Sequence, residues 1–396
     1  MTELRDVVIV SACRTAIGNF MGTIGDITPG RLGAVVVREA VRRAGIQPSQ
    51  IDEVIMGNIL PAGMGQGIAR QSAIWGGIPD SVPAFTVNKL CGSGMKAAML
   101  ATQAIKLGDA ETIIAGGVES MSTAPYAIMN ARKGLRMGHG QIIDTMIQDA
   151  LTDVFNNYHM GITAENVASR YGITREEQDK FAVWSQNKAE AAQQAGKFDA
   201  EIVPVEIPQK KGDPILFNKD EFIRYGATYE SLAKLRPAFK PDGTVTAGNA
   251  SGINDGASAL VLMSRTKAEA LGLPILAKIR SYGAAALDPA FMGLGPVEAS
   301  RTALERAGLI MTDIQLVEAN EAFAAQALAV GRELQIPDEI LNVNGGAIAL
   351  GHPVGASGSR IIVTLLHEMI KRNLQFGLAT LCIGGGMGTA AILERA

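Results

Sequence analysis

The sequence predicts an α/β fold made of two similar halves, with a differently composed stretch inserted between them. Three observations point there. Strand-like and helix-like segments alternate at the start of the chain, a long motif recurs 263 residues downstream, and the stretch between the copies changes composition. The 396 residues are too many for one ordinary core. With 45 Gly and only 5% aromatic residues, small side chains do much of the packing and let backbones approach closely.

Val7–Val10 reads as an apolar strand. Arg31–Ala44 follows as an amphipathic helix, with Leu32, Val35, Val36, Ala40, Val41 and Ala44 on one stripe. Val54–Met56 and Thr112–Ala115 are short strands, and Gly94–Leu107 is helical. Such alternation predicts mostly parallel strands. The repeat then supplies a second copy. Val37–Ile46 with Ile51–Ile55 resembles Ser300–Leu309 with Ile314–Glu318, so Gly45 matches Gly308 and Ile51 matches Ile314. Ser93-Gly94 matches Ser357-Gly358, and Ile113–Gly117 echoes Cys382–Gly386. A repeat this long means two related halves rather than a solenoid, and a cleft between halves is a natural place for a site. Between them, Met121 to Thr246 is rich in Met, Gln, Lys and Gly and carries helical segments at Thr145–Val154 and Arg175–Gln194. The second begins at a capping box, Thr174 to Glu177.

A net charge of −3 argues against a nucleic-acid binder, whose footprint is basic. No apolar run reaches the ~18 residues of a membrane span, and the first residues carry no signal core or import-type stretch. Cys13, Cys91 and Cys382 are too scattered for a disulfide framework or a metal site. Those features predict a cytoplasmic chain.

Four segments carry chemistry. In Asn88-Lys-Leu-Cys91-Gly-Ser-Gly94 a lone cysteine precedes a helix, whose N-terminal N–H groups and partial charge favour thiolate; alone, the segment fits a buried structural cysteine equally well. Around His352, the Gly-rich run Asn342–Arg360 shapes the backbone tightly, and a neutral imidazole there could take the Cys91 proton; a satisfied loop histidine is the alternative. His139 and His367 read as surface residues. Cys382 stands at a strand end before Gly384–Gly386, where exposed N–H groups could hold an oxyanion. The fourth, Glu318-Ala-Asn320-Glu321-Ala-Phe323, offers an amide and carboxylates that could position a water or the imidazole, and singly passes as a helix start.

Together, in order and spacing, these four motifs resemble the thiolases over essentially the whole chain. The resemblance implies a five-layered α-β-α-β-α core plus an inserted loop domain. Its halves are residues 1–120, completed by about 247–271, and 272–396, with 121–246 as the loop domain. It implies Cys91 as the acylated nucleophile, His352 as its base and Cys382 as the acid/base at the α-carbon. One oxyanion is then held by His352 with a water on Asn320, the other by the N–H groups of Cys91 and Gly384. His159 and Met160 resemble the segment that short-chain, biosynthetic-type members place beside the acyl pocket, and Met292 another pocket wall. Arg224 and Ser231 match positions near the nucleotide end of coenzyme A, Ser251 a pantetheine contact, and Phe239 and Phe323 tunnel walls. Read without the family, such Met residues fill a core and Arg224 is a solvated charge. Ala16 stands where many members have Pro, outside the motifs.

The activity implied is reversible condensation of two acetyl-CoA molecules to acetoacetyl-CoA. Coenzyme A is then substrate and product, and no metal or redox cofactor is implied. The nearest alternative is a broad-range 3-ketoacyl-CoA thiolase of fatty-acid degradation. A decarboxylating condensing enzyme is disfavoured by the second cysteine, and a silent thiolase-like shell by the presence of all four catalytic side chains. The stretch Tyr126–Ile142 resembles the family's tetramerisation loop and implies a homotetramer, or else a dimer.

Overall fold

The computed structural model describes residues 4–396. The expectation about a leader rests in part on residues 1–3, which lie outside the described residues. The principal elements of the first half are β1 (Val7–Thr15), α1 (Pro29–Ala44), β2 (Glu53–Gly57), α2 (Ile68–Trp75), β3 (Ala84–Val87), α3 (Ser93–Leu107) and β4 (Thr112–Ser120). An insertion holding α4 (Met160–Tyr171) and α5 (Arg175–Gln194) precedes β5 (Asn254–Ser264). The second half has β6 (Ala277–Ala286), α6 (Gly295–Ala307), β7 (Leu316–Ala319), α7 (Ala324–Leu334), α8 (Val354–Arg372), β8 (Phe376–Ile383) and β9 (Met387–Arg395).

These strands run β7-β8-β9-β6-β1-β5-β4-β2-β3. The order is the repeat made visible. In each half a strand, a helix and a second strand are followed by the buried helix, and the two halves join through a short antiparallel contact of Val8 with Lys278 and Ile9 with Ala277. Only β2–β3, β2–β4 and β7–β8 are parallel among these pairs. The sheet is therefore mixed rather than mostly parallel. The reason is in the connections: β9 follows β8 through a tight turn, which permits only an antiparallel neighbour, and β5 returns antiparallel to β4 after the insertion.

Alternation along the strands builds the layers. In β1, Val8 and Val10 face α1 in one apolar cluster, while Val7 and Ile9 face α3 and α8 in another. A bulge between Ile9 and Ser11 shifts the register, so beyond it the parity flips and Cys13 joins the first cluster while Ala12 joins the second. The central cluster draws on both halves, with Leu260 and Ile113 from one and Ala379, Leu381 and Leu393 from the other. A third cluster lies beneath α6. The five layers are thus α1/α2, sheet, α3/α8, sheet, α6/α7. Each fully buried Val, Leu or Ile contributes about 1.5–3 kcal/mol.

The matched glycines fall at matched places. Gly45 and Gly308 end α1 and α6 with φ of +68° and +69°, a conformation that costs an L side chain about 1–2 kcal/mol. Gly94 and Gly358 lie where α3 crosses α8: a Cβ on Gly94 would sit 2.5 Å from Ser359 Oγ, and one on Gly358 2.5 Å from the Met95 nitrogen. The insertion is tied back by wholly buried Arg14, which donates to Asp220 at 2.7 and 2.9 Å and to Glu201 at 2.5 Å.

Helix α5 spans the expected residues, and Thr174 and Glu177 cap it reciprocally at 2.7 and 3.2 Å. Two local expectations fail. Residues Thr145–Val154 do not form a regular helix: Ile147–Leu151 makes one wide turn, closed by Thr152 Oγ1 on the Ile147 carbonyl at 2.8 Å. Thr152–Asp153 then pairs as a strand with Tyr158–His159. His367 is no surface residue either, because α8 is the central helix; its ring is half-buried and its Nε2 lies 3.2 Å from the Ala12 carbonyl.

Candidate active site

Cys91 sits in the turn between β3 and α3. Its predecessor Leu90 has φ of +50°, a rare setting for a branched side chain. Hydrogen bonds hold it there. Leu90 N donates to Asn88 Oδ1 at 3.0 Å, and Ser93 Oγ accepts from Lys89 N at 2.8 Å while donating to the Leu90 carbonyl at 2.6 Å. The turn aims the N–H of Cys91 back at its own sulfur, beside the N–H of Gly384 from the other half. Burial pushes the Cys91 thiol up to about 11, outweighing both N–H groups. The N–H groups act in the direction expected of a helix start, but desolvation of the charged form dominates.

Cys382 ends β8 with 1% exposure. Burial and the nearby Cys91 charge push its thiol up further still. Gly385 and Gly386 turn the chain with φ of +76° and +75°, and a Cβ on Gly386 would lie 2.1 Å from the Leu287 carbonyl.

His352 enters between the turn Ala347–Leu350 and α8. Its backbone N–H donates to Asn254 Oδ1 at 2.9 Å, and its Nδ1 lies 2.6 Å from Ser357 Oγ. Ser357 gives its one proton to the Pro353 carbonyl at 2.9 Å. The hydroxyl thus accepts from Nδ1–H, which leaves Nε2 with a free lone pair. Burial, then the Arg360 charge, pushes the imidazole down to about 3, so it is neutral. Asn320, at the end of β7, places Nδ2 3.4 Å from Nε2 and 3.5 Å from Nδ1, while its buried Oδ1 has no protein partner. Its neighbour Glu321 is spoken for, accepting from Ser185 Oγ at 2.6 Å, Asn342 Nδ2 at 2.7 Å and Ile348 N at 3.2 Å.

These groups meet at a cavity of about 370 Å³. Cys91, His352, Cys382 and Gly384 line it, together with His159, Met160, Met292, Phe239, Phe323, Ser251 and Arg224. His159 stacks on Phe239 with centroids 4.6 Å apart, and Phe239 meets Phe323 edge-on at 6.2 Å. Arg224 also borders an adjoining open groove with Phe222 and Ile253. It donates to the Ala247 carbonyl at 3.0 Å and has no carboxylate partner among the described residues, so its charge is available to an anion. Ser231 is not brought to the cavity. It is exposed on the short helix Tyr229–Ala233, where its hydroxyl donates to the Thr228 carbonyl at 2.7 Å. The motifs missed Ser357, although it lies inside the His352 segment, and Asn254, Phe222 and Met121, for which no local signal exists.

Comparison with known proteins gives the same picture. The thiolase N-terminal domain model matches residues 7–266 and the thiolase C-terminal domain model residues 273–395. An acetyl-CoA acetyltransferase of Pseudomonas aeruginosa is 60% identical over 99% of this chain and 100% of its own. One of Cupriavidus necator is 61% identical with the same coverage. The crystal structure of the Bacillus anthracis acetyl-CoA acetyltransferase superposes with a TM-score of 0.98, at 46% identity and full coverage of both chains. With its two halves, its paired cysteines and matches that span both, the chain belongs to the thiolase family.

Proposed function

We propose that the chain is an acetyl-CoA C-acetyltransferase that interconverts two acetyl-CoA with acetoacetyl-CoA and CoA. The observation that carries this is one cavity lined by two cysteines and a neutral histidine, whose Nε2 carries no proton when Nδ1–H donates to Ser357. With a thiol near 11, only ~1 in 10,000 Cys91 side chains is ionised at pH 7, so attack requires a base. In the cleaving direction Cys91 gives its proton to His352 Nε2 as its sulfur bonds to the 3-keto carbon of acetoacetyl-CoA. The carbon–carbon bond breaks, Cys382 protonates the enolate, and acetyl-CoA departs from acetyl-Cys91. CoA then enters and gives its thiol proton to Cys382. Its sulfur takes the acetyl group, and His352 returns its proton to Cys91. Each step reverses for synthesis. Side chains and CoA carry every transfer, so the cycle as written calls on no further cofactor. On this reading the N–H groups of Cys91 and Gly384 hold the oxyanion on the acylated carbon, and His352 with a water on Asn320 holds the enolate oxygen.

Met160 and Met292, buried in the cavity wall, support a short acyl group. The test is CoA-dependent cleavage of acetoacetyl-CoA, 3-ketohexanoyl-CoA and 3-ketodecanoyl-CoA. Strong preference for the four-carbon substrate is expected; similar rates on all three would instead indicate a broad-range 3-ketoacyl-CoA thiolase.

The same reading divides the chain into halves at 1–120 with about 247–271 and at 272–396, and gives 121–246 the coenzyme A contacts and assembly. Exposed Tyr126, Met129, Leu135, Met137 and Ile142 support a homotetramer; a monomeric mass by light scattering would sink it. Three unpaired cysteines support a reducing, cytoplasmic location, which cell fractionation tests. No described helix is long and apolar enough to cross a membrane.

A further inference from the structure

Behind the cavity lies a carboxylate that the reaction above does not use. Glu119, on β4, has 0% exposure and no cationic partner in any ion pair among the described residues. Its Oε1 accepts from Asn58 Nδ2 at 2.8 Å and Leu60 N at 3.2 Å, and its Oε2 from Gly355 N at 2.9 Å and Ile59 N at 3.0 Å. All four partners are donors. Both oxygens are therefore used twice, which suits a carboxylate and not a carboxylic acid or an amide; burial opposes these N–H groups and pushes the Glu119 carboxyl up to about 8.

The donors come from two places. Gly355 is in the first turn of α8, three residues after His352, and Val354 beside it lines the cavity. Asn58, Ile59 and Leu60 follow β2, and Ile59 and Leu60 pack with Val354, Leu90 and Cys91 in one apolar cluster. Space around the contact is minimal: a Cβ on Gly355 would lie 2.5 Å from Glu119 Oε2 and 3.0 Å from the Asn58 Cα. One side chain thus joins the half that supplies His352 to the half that supplies Cys91.

We propose that Glu119 is a positioning residue of the reaction, clamping the start of the His352 helix to the turn that floors Cys91. The idea rests on the acyl-cysteine reading above. Above about 8, where Glu119 is ionised, its charge also reaches the nucleophile and disfavours the Cys91 thiolate, which forms at still higher pH. Asp255 is another acid facing Glu119, and Cys382, His352, His159 and Arg224 share the cavity with Cys91.

Glu119→Gln keeps the shape, removes the charge and turns one acceptor into a donor facing N–H groups. In the full-length protein, kcat for acetoacetyl-CoA cleavage should fall about 10- to 100-fold, the loss that a small misplacement of reacting groups brings. The KM should stay within about 3-fold, because the groups that bind substrate are untouched. The pH midpoint for alkylation of Cys91 by iodoacetamide should move down, because a neighbouring negative charge is gone. A kcat within about 3-fold of the parent overturns the proposal. So does a loss of kcat with an unmoved alkylation midpoint, which is what a purely structural role would produce. Should that variant fail to fold, Asn58→Ala removes one of the four donors; it should cost kcat about 3- to 10-fold at constant KM, and an unchanged kcat again overturns the clamp. Activity of the parent protein tests the acyl-cysteine reading itself, whereas only the ratio of variant to parent tests Glu119.

Discussion

Ser357 Oγ stands 2.6 Å from His352 Nδ1 and spends its own proton on the Pro353 carbonyl. One hydroxyl on the first turn of α8 thereby selects the imidazole tautomer, and with it the nitrogen that faces the chemistry. Ser357→Ala removes that acceptor and leaves a buried Nδ1–H unpaired, which costs about 1–3 kcal/mol. The expected result is a kcat lowered about 10- to 100-fold with little change in KM, checked by steady-state cleavage of acetoacetyl-CoA. An unaltered kcat would show that the tautomer is held by something else.

The two cysteines divide the reaction between them. Cys91→Ser should abolish radiolabelling of the protein by acetyl-CoA, whereas Cys382→Ser should spare labelling and cripple condensation. Label that persists at another residue in the first variant would remove Cys91 from its role. Equal survival of both steps in the second would remove Cys382.

The pH behaviour follows from burial. The Cys91 thiol is raised to about 11, so the protonated form is favoured and thiolate accumulates only as pH climbs toward that value. Alkylation of the resting protein at Cys91 should therefore have its midpoint well above the roughly 8.5 of a free thiol. His352, held down at about 3, is neutral wherever pH exceeds that value and should add no acid limb to acyl transfer near neutrality. An alkylation midpoint at or below ~8.5 would show that the N–H groups outweigh desolvation after all.

The repeat makes a prediction about stability. Gly45 and Gly308 both have positive φ and nothing within 4 Å of an added Cβ, so Gly→Ala there costs backbone strain alone. Each substitution should lower stability by about 1–2 kcal/mol, the two costs should add because the sites are far apart, and kcat should be unaffected. Thermal or denaturant unfolding of the single and double variants checks this; a cost at one position only would mean that the halves are not equivalent there.

The motifs made much of the site legible. Cys91, His352, Cys382, Asn320 and Gly384 come together from positions up to 293 residues apart, and each is marked by local chemistry: a nucleophile before a helix, a histidine within tightly turned backbone, a strand ending in glycines. Ser231 rests on the resemblance alone: it lies outside the cavity, where its hydroxyl donates to the Thr228 carbonyl. Asn254 gave no sign at all, since its importance is a contact with a residue 98 positions away.

By itself the sequence determined the repeat, the helix ends and the identity of the reactive groups. These depend on residues within a few positions of one another: the periodicity of α1, the capping pair Thr174 and Glu177, the left-handed glycines. Only the tertiary structure decided the protonation states, the mixed sheet and the clamp at Glu119. Those rest on how much water is excluded and which distant backbone arrives alongside. Desolvation in particular is a property of the assembled layers, and it is what raises Cys91 and lowers His352 against the local signals that surround them.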